Sequence, residues 1–178
     1  MNIFASRNSR PANTLRLSRG FTLVELLVVI AIIGVLSTLL LLQLGTARAK
    51  ARDTKRITDV SGIRTAVELY YDDFNGVYPT AISTANIGKY LAAPTVPNDP
   101  VTAVAYFYAY SPAASPTKFH IWTELENKNT AALAGDGDMN STGWSGSAFN
   151  ASVATTEACT AAYAAGVARD CVYDTGQK

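Results

Sequence analysis

At 178 residues the chain has room for one modest domain and an anchor. Its formal net charge of +1 is unevenly spread: residues 1–20 hold four of the 15 basic residues and no acidic one, leaving 11 basic against 14 acidic beyond them. That slightly acidic remainder gives no electrostatic case for nucleic-acid binding, and a single histidine excludes a histidine-rich metal centre.

Behind the basic start (Arg7, Arg10, Arg16 and Arg19), residues 21–42 form an apolar run of 22 residues whose only charge is Glu25. A helix of that length rises ~33 Å, enough to cross a bilayer core. A carboxylate inside such a segment is costly and calls for a partner, unless it sits at headgroup level. Charge counting leaves the orientation open, because Arg48, Lys50, Arg52, Lys55 and Arg56 follow the run as closely as the arginines precede it.

One long helix is predicted over 21–74, weakened at Gly34 and Gly45. From Ala47 it turns amphipathic: Ile57, Val60, Ile63, Val67, Tyr70 and Phe74 recur every three or four residues, the spacing of a face packed on a core. Lys55 with Asp59, and Arg64 with Glu68, are spaced as i,i+4 ion pairs. Asn75-Gly76 supplies a stop, and Tyr78-Pro79 forces extended backbone beyond it.

Residues 80–103 read as a connecting loop with one short helix over Ile87–Ala92, since Pro94, Pro97 and Pro100 leave little room for regular structure. Two strands follow, Val104–Tyr110 and Phe119–Leu125, joined by Ser111–Lys118. Residues 127–157, rich in small and polar side chains, suit an exposed loop or a sheet edge. A helix laid on a small antiparallel sheet makes the fold class α+β.

Chemistry-bearing constellations are few. Asp136, Asp138 and Asn140 have the alternating spacing of a calcium loop, but Ser141 stands where such a loop has glycine and no closing Glu follows. A solvated turn is the competing reading. A Ser-His-Asp triad would depend on His120, the only histidine, which is expected mid-strand and packed or exposed there. With no phosphate-binding glycine loop and no paired-cysteine metal motif, the chain is not expected to be an enzyme.

Arg19-Gly20-Phe21-Thr22-Leu23-Val24-Glu25 with the apolar helix behind it resembles the leader and N-terminus of type IV pilins and of the pseudopilins of type II secretion. Tyr70-Tyr71-Asp72-Asp73-Phe74-Asn75-Gly76-Val77-Tyr78-Pro79-Thr80 is similar to the helix end of the major pseudopilins and small pilins. The resemblance implies a pilin-like α+β fold. It divides the chain into a removed leader (1–20), a membrane or filament-core half-helix (21–45), an amphipathic half-helix (46–75) and a globular domain (76–178). Prepilin peptidase is then expected to cut between Gly20 and Phe21 and to methylate the Phe21 amine. Glu25 becomes an assembly contact in a helical homopolymer built by pilus or type II secretion machinery. The leader lies in the cytoplasm, the precursor waits in the membrane, and the C-terminal domain lies outside. The resemblance also implies a disulfide between Cys159 and Cys171, against the alternative of two free buried thiols, and it allows calcium at Asp136, Asp138 and Asn140. A single-span anchored binding protein that forms no filament is the reading from a different class.

Overall fold

The computed structural model describes residues 20–128, 130–152, 159 and 171–178. Apart from Gly20, the expected leader lies outside the described residues, as does the Ala-rich stretch between the cysteines. The chain divides into two compact units, Met1–Leu42 and Gln43–Lys178. Helix α1, Leu23–Asp73, contributes residues to both.

In the first unit the side chains of residues 21–41 are all exposed. In the second, the helix buries one face, on which Asp53, Arg56, Val60, Ile63, Ala66 and Val67 succeed one another every one to four residues. Val60, Ile63 and Val67 meet Tyr106, Tyr108, Phe119 and Ile121 in the main core. Each such aliphatic side chain, fully buried, stabilises by about 1.5–3 kcal/mol. Ile57 and Tyr70 are half-buried, and Phe74, 45% exposed, stacks on Tyr70. The expected Lys55–Asp59 pair forms at 2.5 Å. Among the described residues Arg64 and Glu68 do not pair; Glu68 instead accepts from the Tyr78 hydroxyl at 3.0 Å.

The helix stops as its sequence predicts. Asn75 and Gly76 take positive φ angles of 54° and 80°, and the Gly76 amide donates back to the Tyr71 carbonyl at 3.0 Å. The short helix lies earlier than expected, at α2 (Thr84–Ile87) followed by a 3-10 turn (Gly88–Tyr90), because Ser83 caps it by accepting from the Asn86 amide.

Strands β1 (Phe107–Ser111) and β2 (Lys118–Glu124) pair antiparallel as predicted, Tyr108 opposite Ile121. A helical turn, α3, spans Thr130–Leu133. Strands β3 (Ser145–Gly146) and β4 (Val172–Gln177) complete a four-stranded sheet in the order β3-β1-β2-β4. Strand β4 has no counterpart in the sequence prediction, because Asp174 and Gly176 break its apolar alternation. Gly176 is required there: a Cβ would collide with the Phe119 carbonyl oxygen and the Met139 sulfur. Alternation along β2 sends Phe119 and Ile121 to the helix side, and His120 and Trp122 to the opposite face. On that second face Trp122 stacks between Phe107 and Phe149.

Candidate functional site

At the start of α1, Gly20 and Phe21 precede the first helical turn, and Phe21 is 80% exposed. Thr22 is the N-cap. Its carbonyl accepts the Leu26 amide, and its hydroxyl oxygen accepts the Glu25 amide at 3.2 Å. The Glu25 carboxylate reaches back to accept from the Thr22 amide at 2.8 Å and the Thr22 hydroxyl at 2.7 Å. This is a capping box, Thr-x-x-Glu, readable from Thr22-Leu23-Val24-Glu25 although the sequence reading weighs Glu25 as a membrane-level charge and an assembly contact, not as a cap. A carboxylate at this end also complements the helix dipole. Glu25 thus has a local partner set in the single chain, while Leu23, Val24 and Leu26 around it stay exposed.

A second constellation is buried. The Arg56 guanidinium, fully buried, donates to Asp99 at 2.6 Å, Asp53 at 2.8 Å and Glu126 at 2.6 Å. Arg52 makes a two-pronged pair with the same Glu126 at 2.7 and 2.5 Å. Asp53 also accepts the amides of Glu126 and Asn127, so the helix grips the exit of β2 directly. Asp99 accepts the amides of Val101 and Thr102. Burial alone would raise the Asp99 carboxyl, but its bonds from Arg56, Thr102 and Val101 outweigh that and hold it down at about 2. Hydrogen bonding from Arg52 lowers Glu126 in the same direction.

Both carboxylates are therefore depressed in the folded state. Their contribution to stability is complete above the unfolded carboxylate range near pH 4 and is lost as pH falls towards about 2. Melting temperature is expected to stay level from pH 7 to about 5 and to drop below about 4; thermal melts across that range check it.

His120 is fully buried with Ser141 Oγ at 2.8 Å from Nδ1 and Asp174 Oδ2 at 2.8 Å from Nε2. His120 is the packed strand histidine expected, and the fold gives it Ser141 and Asp174 as polar partners. Ser141 is also fully buried, and its oxygen donates to the Phe149 carbonyl and accepts the Phe149 amide. The trio ties β2, β4 and the loop before β3 together as a lock. Asp174 extends the lock by accepting the amides of Asp138 and Met139, both at 2.9 Å.

The calcium candidates lie in that same loop. The Asp136 carboxylate accepts the Asp174 amide at 3.4 Å, and Asn140 Oδ1 accepts the Thr142 amide at 3.0 Å. Among the described residues no three His, Cys, Asp or Glu side chains gather as a metal site.

Cys159 and Cys171 form a disulfide, with Cα atoms 4.4 Å apart. Cys171 packs with Leu125 and Leu133, and its carbonyl accepts the Leu125 amide at 2.8 Å. Closing a 13-residue segment, the bond constrains the unfolded chain by about 3 kcal/mol. Cys159→Ser with Cys171→Ser is expected to lower unfolding free energy by about that amount in denaturant melts, as does reduction of the native chain.

Comparison with known proteins bears on the N-terminal site. The prokaryotic N-terminal methylation motif matches residues 15–41. Type IV major pilin protein PilE1 of Neisseria gonorrhoeae is 30% identical over 127 residues, 67% of this chain and 76% of that protein. Type II secretion system core protein G of Dickeya chrysanthemi is 36% identical over 85 residues, 48% of this chain and 54% of that protein. The protein G of Escherichia coli (strain K12) is 39% identical over 79 residues, 44% of this chain and 52% of that protein. The chain thus spans about half the length of these secretion proteins and about three quarters of the pilin. No solved structure matches. With a methylation motif leading into an exposed apolar helix, and an amphipathic half-helix packed on an antiparallel sheet, the chain belongs to the family of type IV pilins and type II secretion pseudopilins.

Proposed function

We propose that the chain is a structural subunit of a type IV pilus or pilus-like filament, cut between Gly20 and Phe21 and polymerised through its apolar N-terminal helix. The observation that carries this reading is the exposed apolar surface of residues 21–41, with Glu25 as its single charge. In the precursor, lipid covers that surface, with the C-terminal domain outside. In the filament, neighbouring helices do, so extraction costs less than exposing the same side chains to water. Phe21 lies four positions before Glu25, at the start of the helix, and an axial offset matching that separation brings one subunit's amine level with the next subunit's carboxylate. N-terminal mass spectrometry tests processing: a mature chain starting at N-methylated Phe21 supports the reading, and an intact Met1 favours a simple membrane anchor.

The higher identity to the two protein G sequences favours a second reading, a secretion pseudopilus. The match to PilE1 runs further along the chain, which favours the pilus. Long surface filaments seen by electron microscopy at native expression select the first. For the loop at Asp136, Asp138 and Asn140 we favour a solvated turn over a calcium site, since Asp136 and Asn140 already accept backbone amides. A calcium-dependent rise in Tm, lost in Asp138→Asn, overturns that choice.

A further inference from the structure

We propose that the sheet face turned away from α1 carries a binding pocket for a carboxylated sugar. The pocket has a volume of about 450 Å³ and is lined by Lys118, Asp138, Asn140, Trp144, Ser152 and Lys178. That volume lies within the span of small-molecule sites, ~300–1,000 Å³.

Its floor follows from strand register. Phe119 pairs with Gln177 and His120 with Gly176, so the next step of the same antiparallel ladder sets Lys118 opposite Lys178. Like charges directly opposite one another destabilise a sheet, and an anion between them removes the conflict. Alternation along β2 puts Lys118 on the side of His120 and Trp122, away from the helix.

The walls are held by the buried lock. Asp174 fixes the amides of residues 138 and 139, the Ala151 amide donates to Met139 at 2.7 Å, and Asn140 bridges to Asn150. Asp138, Asn140 and Ser152 are therefore set on tethered backbone before any ligand arrives, which reduces the ordering cost of binding.

The lining chemistry selects the ligand. Among the described residues neither lysine nor Asp138 is engaged in an ion pair. Among the lining side chains two ammonium groups face one carboxylate, an excess of positive charge suited to a monoanion rather than a polyphosphate. The Asp138 carboxylate accepts from hydroxyls, and the Asn140 amide donates to them. Half-buried Trp144 offers an aromatic face, whose negative potential suits the polarised C–H face of a pyranose ring. A hexuronate combines all three features.

Isothermal titration of the full chain in detergent micelles with glucuronate, glucose, acetate and thymidine monophosphate tests this. Glucuronate is expected to bind with Kd on the order of 1 mM, as befits so small a ligand, and at least tenfold more tightly than glucose or acetate. Trp144→Ala should abolish binding, and Lys118→Gln with Lys178→Gln should reduce the preference over glucose to less than about twofold, both with Tm unchanged. Equal binding of glucose and glucuronate, acetate binding as tightly as glucuronate, undiminished binding to Trp144→Ala, tighter binding of thymidine monophosphate than of glucuronate, or no heat up to about 10 mM glucuronate each overturn the proposal.

Discussion

Glu25→Ala is expected to be processed normally and to leave cells without surface filaments. The proposed cut lies before the first helical turn, so removing the carboxylate does not alter the peptide bond presented to the peptidase. Two different losses are nevertheless combined in this variant. Within the chain, the Thr22 amide and hydroxyl lose the acceptor that closes the capping box. Between chains, in the proposed filament, the Phe21 amine loses its counter-charge. Glu25→Gln separates them, because a carboxamide oxygen still accepts from Thr22 while carrying no charge. If charge pairing sets the register, Gln fails as Ala does, with methylated Phe21 still found by mass spectrometry and filaments reduced at least tenfold in sheared fractions. If the cap alone matters, Gln assembles normally. Abundant filaments from Glu25→Ala would sink the assembly role altogether.

How far these sites were legible depended on the range over which their partners act. The leader motif, the apolar run and the helix stop at Asn75-Gly76 all lie in contiguous residues, and the structure reproduces the helix and its stop. The capping box was equally local, in Thr22 and Glu25, but a stronger long-range meaning of Glu25 obscured it. Arg56 is different. It stands in a stretch with Arg48, Lys50, Arg52 and Lys55 that reads as a solvated face. Its acceptors Asp99 and Glu126 lie 43 and 70 residues away, so nothing nearby marks it as buried. Yet Asp53 and Arg56 fall on the same helical phase as Val60, Ile63 and Val67, and extending the apolar stripe backwards by two steps reaches them. His120 was found as a strand residue, but Ser141 and Asp174, 21 and 54 residues away, become its partners only through the loop before β3 and the unpredicted β4.

Arg56→Ala is expected to lower the unfolding free energy by about 3–5 kcal/mol, the cost of breaking a buried ion pair from one side. Domains of ordinary stability have roughly 5–15 kcal/mol in all, so the variant is expected to approach the edge of folding. Removal of the guanidinium leaves Asp53, Asp99 and Glu126 around one space, with Arg52, about one third exposed, still paired to Glu126. Asp53 cannot turn away, because the amides of Glu126 and Asn127 hold it. Asp99 is likewise held by Val101 and Thr102. Chemical denaturation of the full chain in detergent at pH 7 and pH 4 separates electrostatics from packing. In the variant the Asp99 and Glu126 carboxylates, having lost Arg56, protonate at higher pH than in the native chain, where Asp99 stays ionised to about 2, so the penalty should shrink at pH 4. A penalty equal at both pH values would instead assign the loss to the missing side-chain volume. Asp99→Ala adds a second test: within the Arg56→Ala background it should cost less than in the native chain, by a coupling of about 0.5–3 kcal/mol. Strict additivity would mean that Arg56 and Asp99, although 2.6 Å apart, do not depend on one another for stability.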